Sequence, residues 1–101
     1  MTALQKRVEA MEKVGAGPLA DEALRKLIHL QLQKYEKQLQ AALRELEPLE
    51  RQCGMSSDEC HRRFVAGELG DAADIMEWMG LYEDVLLYRE RIAPLRAASA
   101  G

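Results

Sequence analysis

"DEALRKLIHLQLQKYEKQLQAALRELEPLE", residues 21–50, contains the strongest periodic pattern in this chain. Its apolar residues recur in alternating steps of four and three, the spacing of one side of an α-helix that packs in a coiled-coil-like hairpin or bundle. The residues of this stripe are Ile28, Leu32, Tyr35, Leu39, Ala42, Leu46 and Leu49. The central prediction is therefore a long helix that buries this stripe against a second helix.

The two ends of this helix are predicted from glycine, proline and a capping carboxylate. The glycine- and proline-containing stretch after the first helix predicts a hinge over residues 15–20. Asp21 is the predicted N-cap, because its carboxylate can accept hydrogen bonds from free amides of the first turn. Pro48 has no amide hydrogen and clashes with the carbonyl four residues earlier, so we expect a kink or an end near Glu47.

A shorter amphipathic helix is predicted before the hinge, over residues 1–14. Its apolar positions recur at steps of four and three and are Leu4, Val8 and Met11. Leu24, Leu27 and Leu30 make the first turns of the long helix apolar on more than one side. The N-terminal helix is the nearest element that could cover this extra face.

The long helix is followed by a corner, a stretch whose residues are typical of helix ends, turns and helix starts. Ser56 with Glu59 three positions later matches a capping box and predicts the start of a short helix. Gly67 suits the left-handed position that ends a helix, and Gly70 can turn the chain again. Asp71 is the predicted cap of the last helix.

The last helix shows two neighbouring apolar stripes, which together form a wide face. One stripe consists of Trp78, Leu81, Val85, Tyr88, Ile92 and Leu95, and the other of Ile75, Met79, Tyr82 and Leu86. A helix with one partner needs only a narrow stripe, so we expect a third element, either the N-terminal helix or another chain. Pro94 is expected to end this helix and leave a frayed tail.

Composition and length agree with one all-α domain. The chain has 101 residues, of which 48% are hydrophobic and 31% charged, with few proline or β-branched residues. The predicted fold is a long antiparallel helical hairpin with a short connecting helix and an extra N-terminal helix, a bundle completed by oligomerisation. The predicted parts of the single domain 1–101 are the N-terminal helix 1–14, the hinge 15–20, the hairpin core 21–95 and the frayed tail 96–101.

Several classes of protein are disfavoured by the pattern of charge and hydropathy. No apolar run approaches the roughly 18 residues of a membrane span, and residues 1–14 are charged throughout, unlike a signal peptide, so a cytoplasmic protein is expected. The net charge of −3 comes without a basic stripe, which makes nucleic-acid binding an unfavoured alternative. Cys53 and Cys60 are expected as free thiols.

Four acidic residues at the corner are the strongest argument for an alternative function. Glu68, Asp71, Asp74 and Glu77 carry the oxygen ligands that hard metal ions prefer, which keeps open a metal-binding protein or metal-dependent enzyme. Carboxylates at a helix start are, however, also favoured by the helix dipole alone. Cys53, Cys60 and His61 are too few for a closed zinc site, and no nucleophile and base are recognisable. We therefore predict neither a catalytic residue nor a cofactor, and no enzyme.

Aromatic and charged residues of the corner allow two further interpretations. Phe64 and Trp78 lie on either side of the glycines, where they either pin the short helix to the long one or anchor a partner. A short helix, a glycine turn and a second helix also suggest a DNA-binding regulator. Asp71, Asp74 and Glu77 would repel DNA at the turns that approach it.

The segment "CGMSSDECHRRFVAGELGDAADIMEWMGLYEDV", residues 53–85, resembles a family of short, uncharacterised bacterial helical proteins encoded beside small toxins. The family pattern is Tyr-Gly-Met with a following Ser and an acidic residue, then Arg-Phe-x-x-Gly-Glu-Leu-Gly-Asp, a Glu-Trp pair and Gly-Leu-Tyr. The chain departs from it at Cys53, at Pro48 and in its extra N-terminal helix. The resemblance implies an antitoxin-like role.

The sequence thus predicts a non-enzymatic protein–protein interaction module that forms a homo-oligomer and binds a protein partner. The resemblance implies that this partner is a small toxin. The alternatives are metal binding or metal-dependent catalysis at the acidic corner Glu68–Glu77, and a DNA-binding regulator. The candidate partner-binding residues are Arg63, Phe64, Glu68, Trp78 and Tyr82.

Overall fold

The computed structural model describes residues 1–100, and within that range the chain is all-helical, as predicted. The four helices are α1 (Ala3–Lys13), α2 (Gly17–Cys53), α3 (Ser57–Val65) and α4 (Ala73–Ser99). The predicted N-terminal helix, long helix, short connecting helix and last helix are all present. No helix within residues 1–100 is long and apolar enough to cross a membrane.

Helices α2 and α4 form an antiparallel hairpin that gives the molecule its length. The 37 residues of α2 span about 55 Å at a rise of about 1.5 Å per residue, close to the longest dimension of 59 Å. Arg96 near the end of α4 donates to Glu36 of α2 at 2.8 Å, and the rings of Tyr35 and Tyr88 lie 6.2 Å apart. Helix α4 therefore runs back along α2 past Tyr35 and Glu36, since it continues from Arg96 to Ser99.

The N-terminal part of α2, residues 17–31, is called the arm below. Val8 and Glu12 of α1 lie beside Ala20 and Leu24 of the arm, but no residue of α1 is buried. The radius of gyration is 19.7 Å, against about 13 Å for a compact domain of this length, because the arm extends past the end of α4.

The prediction that the N-terminal helix covers the extra apolar face of α2 is wrong. Leu27 and Leu30 remain 57% and 59% exposed, although Leu24 lies beside α1. The reason is length: α1 has 11 residues and covers only about 16 Å of the arm.

The start of α2 also differs from the prediction. The helix begins at Gly17, so that most of the predicted hinge is helical, and Pro18 lies in the first turn, where a missing amide hydrogen costs nothing. Asp21 does not cap the helix but forms an ion pair of 3.1 Å with Arg25 one turn later. The turn itself is made at Gly15, with a φ of +78°.

Neither proline ends its helix. Pro48 lies inside α2, which continues to Cys53, and Pro94 lies inside α4, which continues to Ser99. Both proline side chains are exposed, so each ring avoids the packed side of its helix, and the lost hydrogen bond is outweighed by packing on the other side. The predicted frayed tail is helical to Ser99, and Arg96 ties it to α2.

The core lies at the end of the hairpin where α2, α3 and α4 meet. Its buried members are Ala42, Leu46, Cys60, Trp78, Met79, Tyr82 and Val85. The third element that packs on the wide face of α4 within this chain is therefore α3, and not the N-terminal helix. Both predicted stripes of α4 contribute to this core.

Candidate protein-binding site

Helix α3 is held at its N-terminus by α2. Ser56 is the N-cap, and its hydroxyl accepts from the amide of Glu59 at 3.1 Å. The carboxylate of Glu59 does not complete the capping box, because it pairs with Arg63 at 2.9 Å. Glu50 near the end of α2 accepts from the amide of Ser57 at 2.7 Å instead. The last turns of α2 thus fix the direction of α3.

Trp78 and Tyr82, two of the five predicted partner-binding residues, are directed into the core. Trp78 is 3% exposed, and its indole N–H donates to the hydroxyl of Ser57 at 2.8 Å. The Tyr82 hydroxyl donates to the carboxylate of Asp58 at 3.3 Å. Burial, and next the negative charge of Asp58, raise the pKa of Tyr82. Both aromatic residues therefore hold α3 against α4.

The other three predicted residues lie around the end of α3. Phe64 is half-buried against the core, while Arg63 and Glu68 are exposed. The amide of Glu68 donates to the carbonyl of Arg63 at 2.9 Å, which closes the helix end around Gly67 with its φ of +77°. The structure thus brings Phe64, Trp78 and Tyr82 together in one packing unit and leaves Arg63 and Glu68 at the surface.

The start of α4 corrects the predicted role of Asp71. Gly70 turns the chain with a φ of +71°, as predicted, but α4 begins only at Ala73. Ala72 occupies the cap position, so no side chain caps this helix. Asp74 remains in the first turn, where the helix dipole favours its charge.

The acidic corner does not gather a set of metal ligands. Within residues 1–100, no three His, Cys, Asp or Glu side chains are grouped so that they could hold a metal ion. His61 packs its ring 5.2 Å from that of Tyr82, with Nε2 3.8 Å from a carboxylate oxygen of Glu83. The geometry of the described residues therefore adds nothing in favour of the metal-binding alternative.

The two cysteines are free thiols, as predicted, and have different surroundings. Cys53 is exposed at the end of α2, whereas Cys60 is buried in the core. Burial, followed by the nearby Cys53, raises the pKa of the Cys60 thiol, and Arg63 lowers it to a smaller extent.

An open groove runs between the C-terminal turns of α2 and the N-terminal turns of α4, and we call it the corner groove. Its apolar lining consists of Pro48, Leu49, Ile75, Trp78 and Leu81. Its polar lining consists of Arg44, Glu45, Gln52, Asp74 and Glu77, and Cys53 and Gly80 complete it. Gly80 leaves a gap in this wall, because a Cβ added there would meet nothing within 4 Å. The groove is thus apolar at its base and carries more acidic than basic groups.

A second apolar surface lies on the arm, and we call it the leucine stripe. It consists of Leu19, Ala23, Leu27 and Leu30, all exposed and spaced by four, four and three residues, which places them on one side of the helix. The sequence pattern had indicated that Leu27 and Leu30 need a cover, but it gave no signal for Leu19.

Sequence reasoning missed the polar contacts that hold the corner. The sequence pattern offers Ser57 only as a second possible cap of α3, competing with Ser56, and it gives no signal for Glu50 or Asp58. Their partners lie up to 24 residues away in the chain, so no local spacing could have revealed them.

Searches of protein-family models, curated proteins and solved structures found no match to this chain. The resemblance to antitoxin-like helical proteins, and the roles it implies, therefore stay predictions.

Proposed function

We propose that this chain is a non-enzymatic interaction module that binds an amphipathic helix of another protein in the corner groove. The observation that supports the proposal is the groove itself, an open apolar channel between two helices with Trp78 in its wall. A channel of this kind accepts the apolar side of a helix in the mode by which many helical grooves bind their targets.

The charges along the groove favour a basic partner. Three carboxylates, on Glu45, Asp74 and Glu77, and one guanidinium, on Arg44, line it, so a negative potential surrounds the apolar base. Lysine or arginine residues on the flanks of a bound helix would meet complementary charge, while its apolar side covers Leu49 and Leu81. An acidic partner would be repelled.

In the version that the resemblance implies, the partner is a small toxin encoded beside this protein. The module would then neutralise the toxin by covering its active surface, and it needs no catalytic residue to do so. Trp78 would contribute by shaping the wall of the groove, and Arg63 and Glu68 are the exposed candidates for further contacts with the partner.

Native mass spectrometry of the protein co-expressed with its genomic neighbours tests the proposal. The variant Gly80→Trp fills the groove from a position with open space, and Gly80→Ala is the matched control that keeps the groove open. We expect a defined complex with a neighbouring protein that persists with Gly80→Ala and is lost with Gly80→Trp.

Two outcomes would contradict this proposal. A complex that survives Gly80→Trp unchanged would place the partner elsewhere on the molecule. The lack of a complex with every neighbour, in a protein whose circular dichroism shows intact helices, would remove the antitoxin-like version.

A further inference from the structure

The leucine stripe is an apolar surface that the folded chain does not use. Leu19, Leu27 and Leu30 are 62%, 57% and 59% exposed, whereas Leu46 on the same helix is 2% exposed. Single exposed leucines are ordinary, but a row of them on one side of a helix marks an interaction surface. The stripe lies on the arm, on the side of α2 away from the half-buried Ile28 and Leu32, and it is separate from the corner groove.

We propose that the leucine stripe pairs two copies of this chain, with their arms antiparallel. Leu19 then lies opposite the partner's Leu30, and Ala23 lies opposite the partner's Leu27. The spacing of four, four and three residues is nearly the same when read in reverse, so one register brings both pairs together to within one residue. At the inner positions a small side chain meets a large one, which lets the helices approach closely.

The charges beside the stripe are self-complementary in this arrangement. Glu22 and Lys26 are exposed on one flank and lie 3.9 Å apart within their own helix. In an antiparallel pair, each flank faces the same flank of the partner in reverse order. Glu22 therefore lies opposite the partner's Lys26, and Lys26 lies opposite the partner's Glu22.

A parallel pair does not offer these contacts. It would place Glu22 and Lys26 against the opposite flank, which carries Ala20 and Gln31 within the arm and has Glu12 of α1 beside Ala20. The distribution of charge thus favours the antiparallel pair, as charges beside an apolar seam do in coiled coils.

The size of the stripe predicts a weak dimer. From Leu19 to Leu30 it extends over about 17 Å, so the pair buries less than the roughly 800 Å² per partner of a standard interface. Because only the arms overlap, two molecules of 59 Å would form a particle about 100 Å long. This inference goes beyond the proposed function, since the two corner grooves stay free at opposite ends of the dimer.

Sedimentation velocity over a dilution series from submillimolar to micromolar concentrations, with small-angle scattering at the highest concentration, tests the dimer. We expect a reversible, elongated dimer whose dissociation constant rises at least about tenfold with Leu27→Gln or Leu30→Gln. Leu87→Gln is the matched control, because Leu87 is an exposed leucine on α4 away from the arm. Since all three side chains are exposed, circular dichroism should show intact helices in each variant.

Charge reversal tests the register. We expect Glu22→Lys or Lys26→Glu alone to weaken the dimer, because each brings like charges together, and the double variant to restore it.

A monomer at every concentration, a compact dimer, or a dimer weakened by Leu87→Gln and not by Leu27→Gln would overturn the proposal. A double variant that dimerises no better than the two single charge-reversal variants would overturn the antiparallel register. Gly80→Trp should leave the dimer unchanged, so failure of the groove proposal is distinguishable from failure of this one.

Discussion

The two halves of α2 carry the same kind of sequence and have different surroundings. The C-terminal half is covered by α3 and α4 and buries Ala42 and Leu46. The N-terminal half, the arm, has leucines at helical spacing as well, yet Leu27 and Leu30 remain exposed. The difference arises because the packed side of α2 carries Ile28 and Leu32, which are half-buried, whereas Leu27 and Leu30 lie on another side of the helix. An apolar pattern therefore shows that a helix surface requires a partner, but the side on which the other helices pack decides whether this chain supplies it.

The largest expected effect compares the same substitution in the two halves. Leu46→Ala should lower the free energy of unfolding by about 2–5 kcal/mol, since it leaves a cavity in the core. Leu27→Ala should change it by no more than about 0.5 kcal/mol, because its side chain is largely in solvent. Urea unfolding at micromolar concentration, below dimer formation, measures both. Similar losses at the two positions would show that the arm is packed in solution.

The next effect concerns the buried polar contact between α3 and α4. Ser57→Ala removes the acceptor of the Trp78 indole N–H and should cost about 1–3 kcal/mol, since a buried donor is left without a partner. Trp78→Phe in the same chain removes that donor, so the double variant should lose less than the sum of the two single losses. Additive losses, measured by urea unfolding of all three variants, would contradict the coupling.

A smaller effect, this time a gain in the free energy of unfolding, is expected from a substitution in α4, which covers the C-terminal half of α2. Gly80→Ala should raise the free energy of unfolding by about 0.5–1 kcal/mol, because alanine restricts the unfolded chain and its Cβ meets open space inside α4. Gly67→Ala is the opposing control and should cost about 1–2 kcal/mol at a φ of +77°. Thermal unfolding of both variants provides the measurement, and a destabilising Gly80→Ala would mean that the groove wall is closed in solution.

The smallest effect on stability is expected at alkaline pH, from the ionisation of Cys60 and Tyr82 in the core. Burial raises the pKa of Cys60 and of Tyr82, so the unfolded chain loses these protons before the folded chain does. Their contribution to stability is complete below the ordinary thiol pKa of about 8.5 and is lost as pH rises through the folded pKa values. Urea unfolding between neutral and alkaline pH should show this fall, reduced in Cys60→Ala.

The same burial predicts unequal thiol reactivity. Cys53 should react at once with a disulfide reagent, whereas Cys60 should react only as the corner opens. Equal rates for Cys53 and Cys60 in the folded protein would contradict the difference in burial.

Local signals were sufficient for much of the fold, because helix spacing, caps and glycine turns act over a few residues. The stripe from Ile28 to Leu49 predicted α2, and Ser56 and Gly67 marked the limits of α3. Neither Pro48 nor Pro94 ends its helix, because packing on the other side of each helix outweighs one missing hydrogen bond.

The candidate sites depended on longer-range contacts. Trp78 and Tyr82 were recognised as important aromatic residues, but their direction into the core depends on Ser57 and Asp58 of α3. The corner groove needs α2 and α4 side by side, and the leucine stripe is exposed because α4 packs on another side of α2.

By itself, the sequence determined that this protein is helical, where its apolar stripes lie and where the chain turns, since these depend on residues three or four positions apart. Only the tertiary structure decided that α3 packs against the second stripe of α4 and that the leucine stripe has no cover. Those outcomes depend on which sides of the helices meet and on contacts between distant residues, which no local pattern encodes.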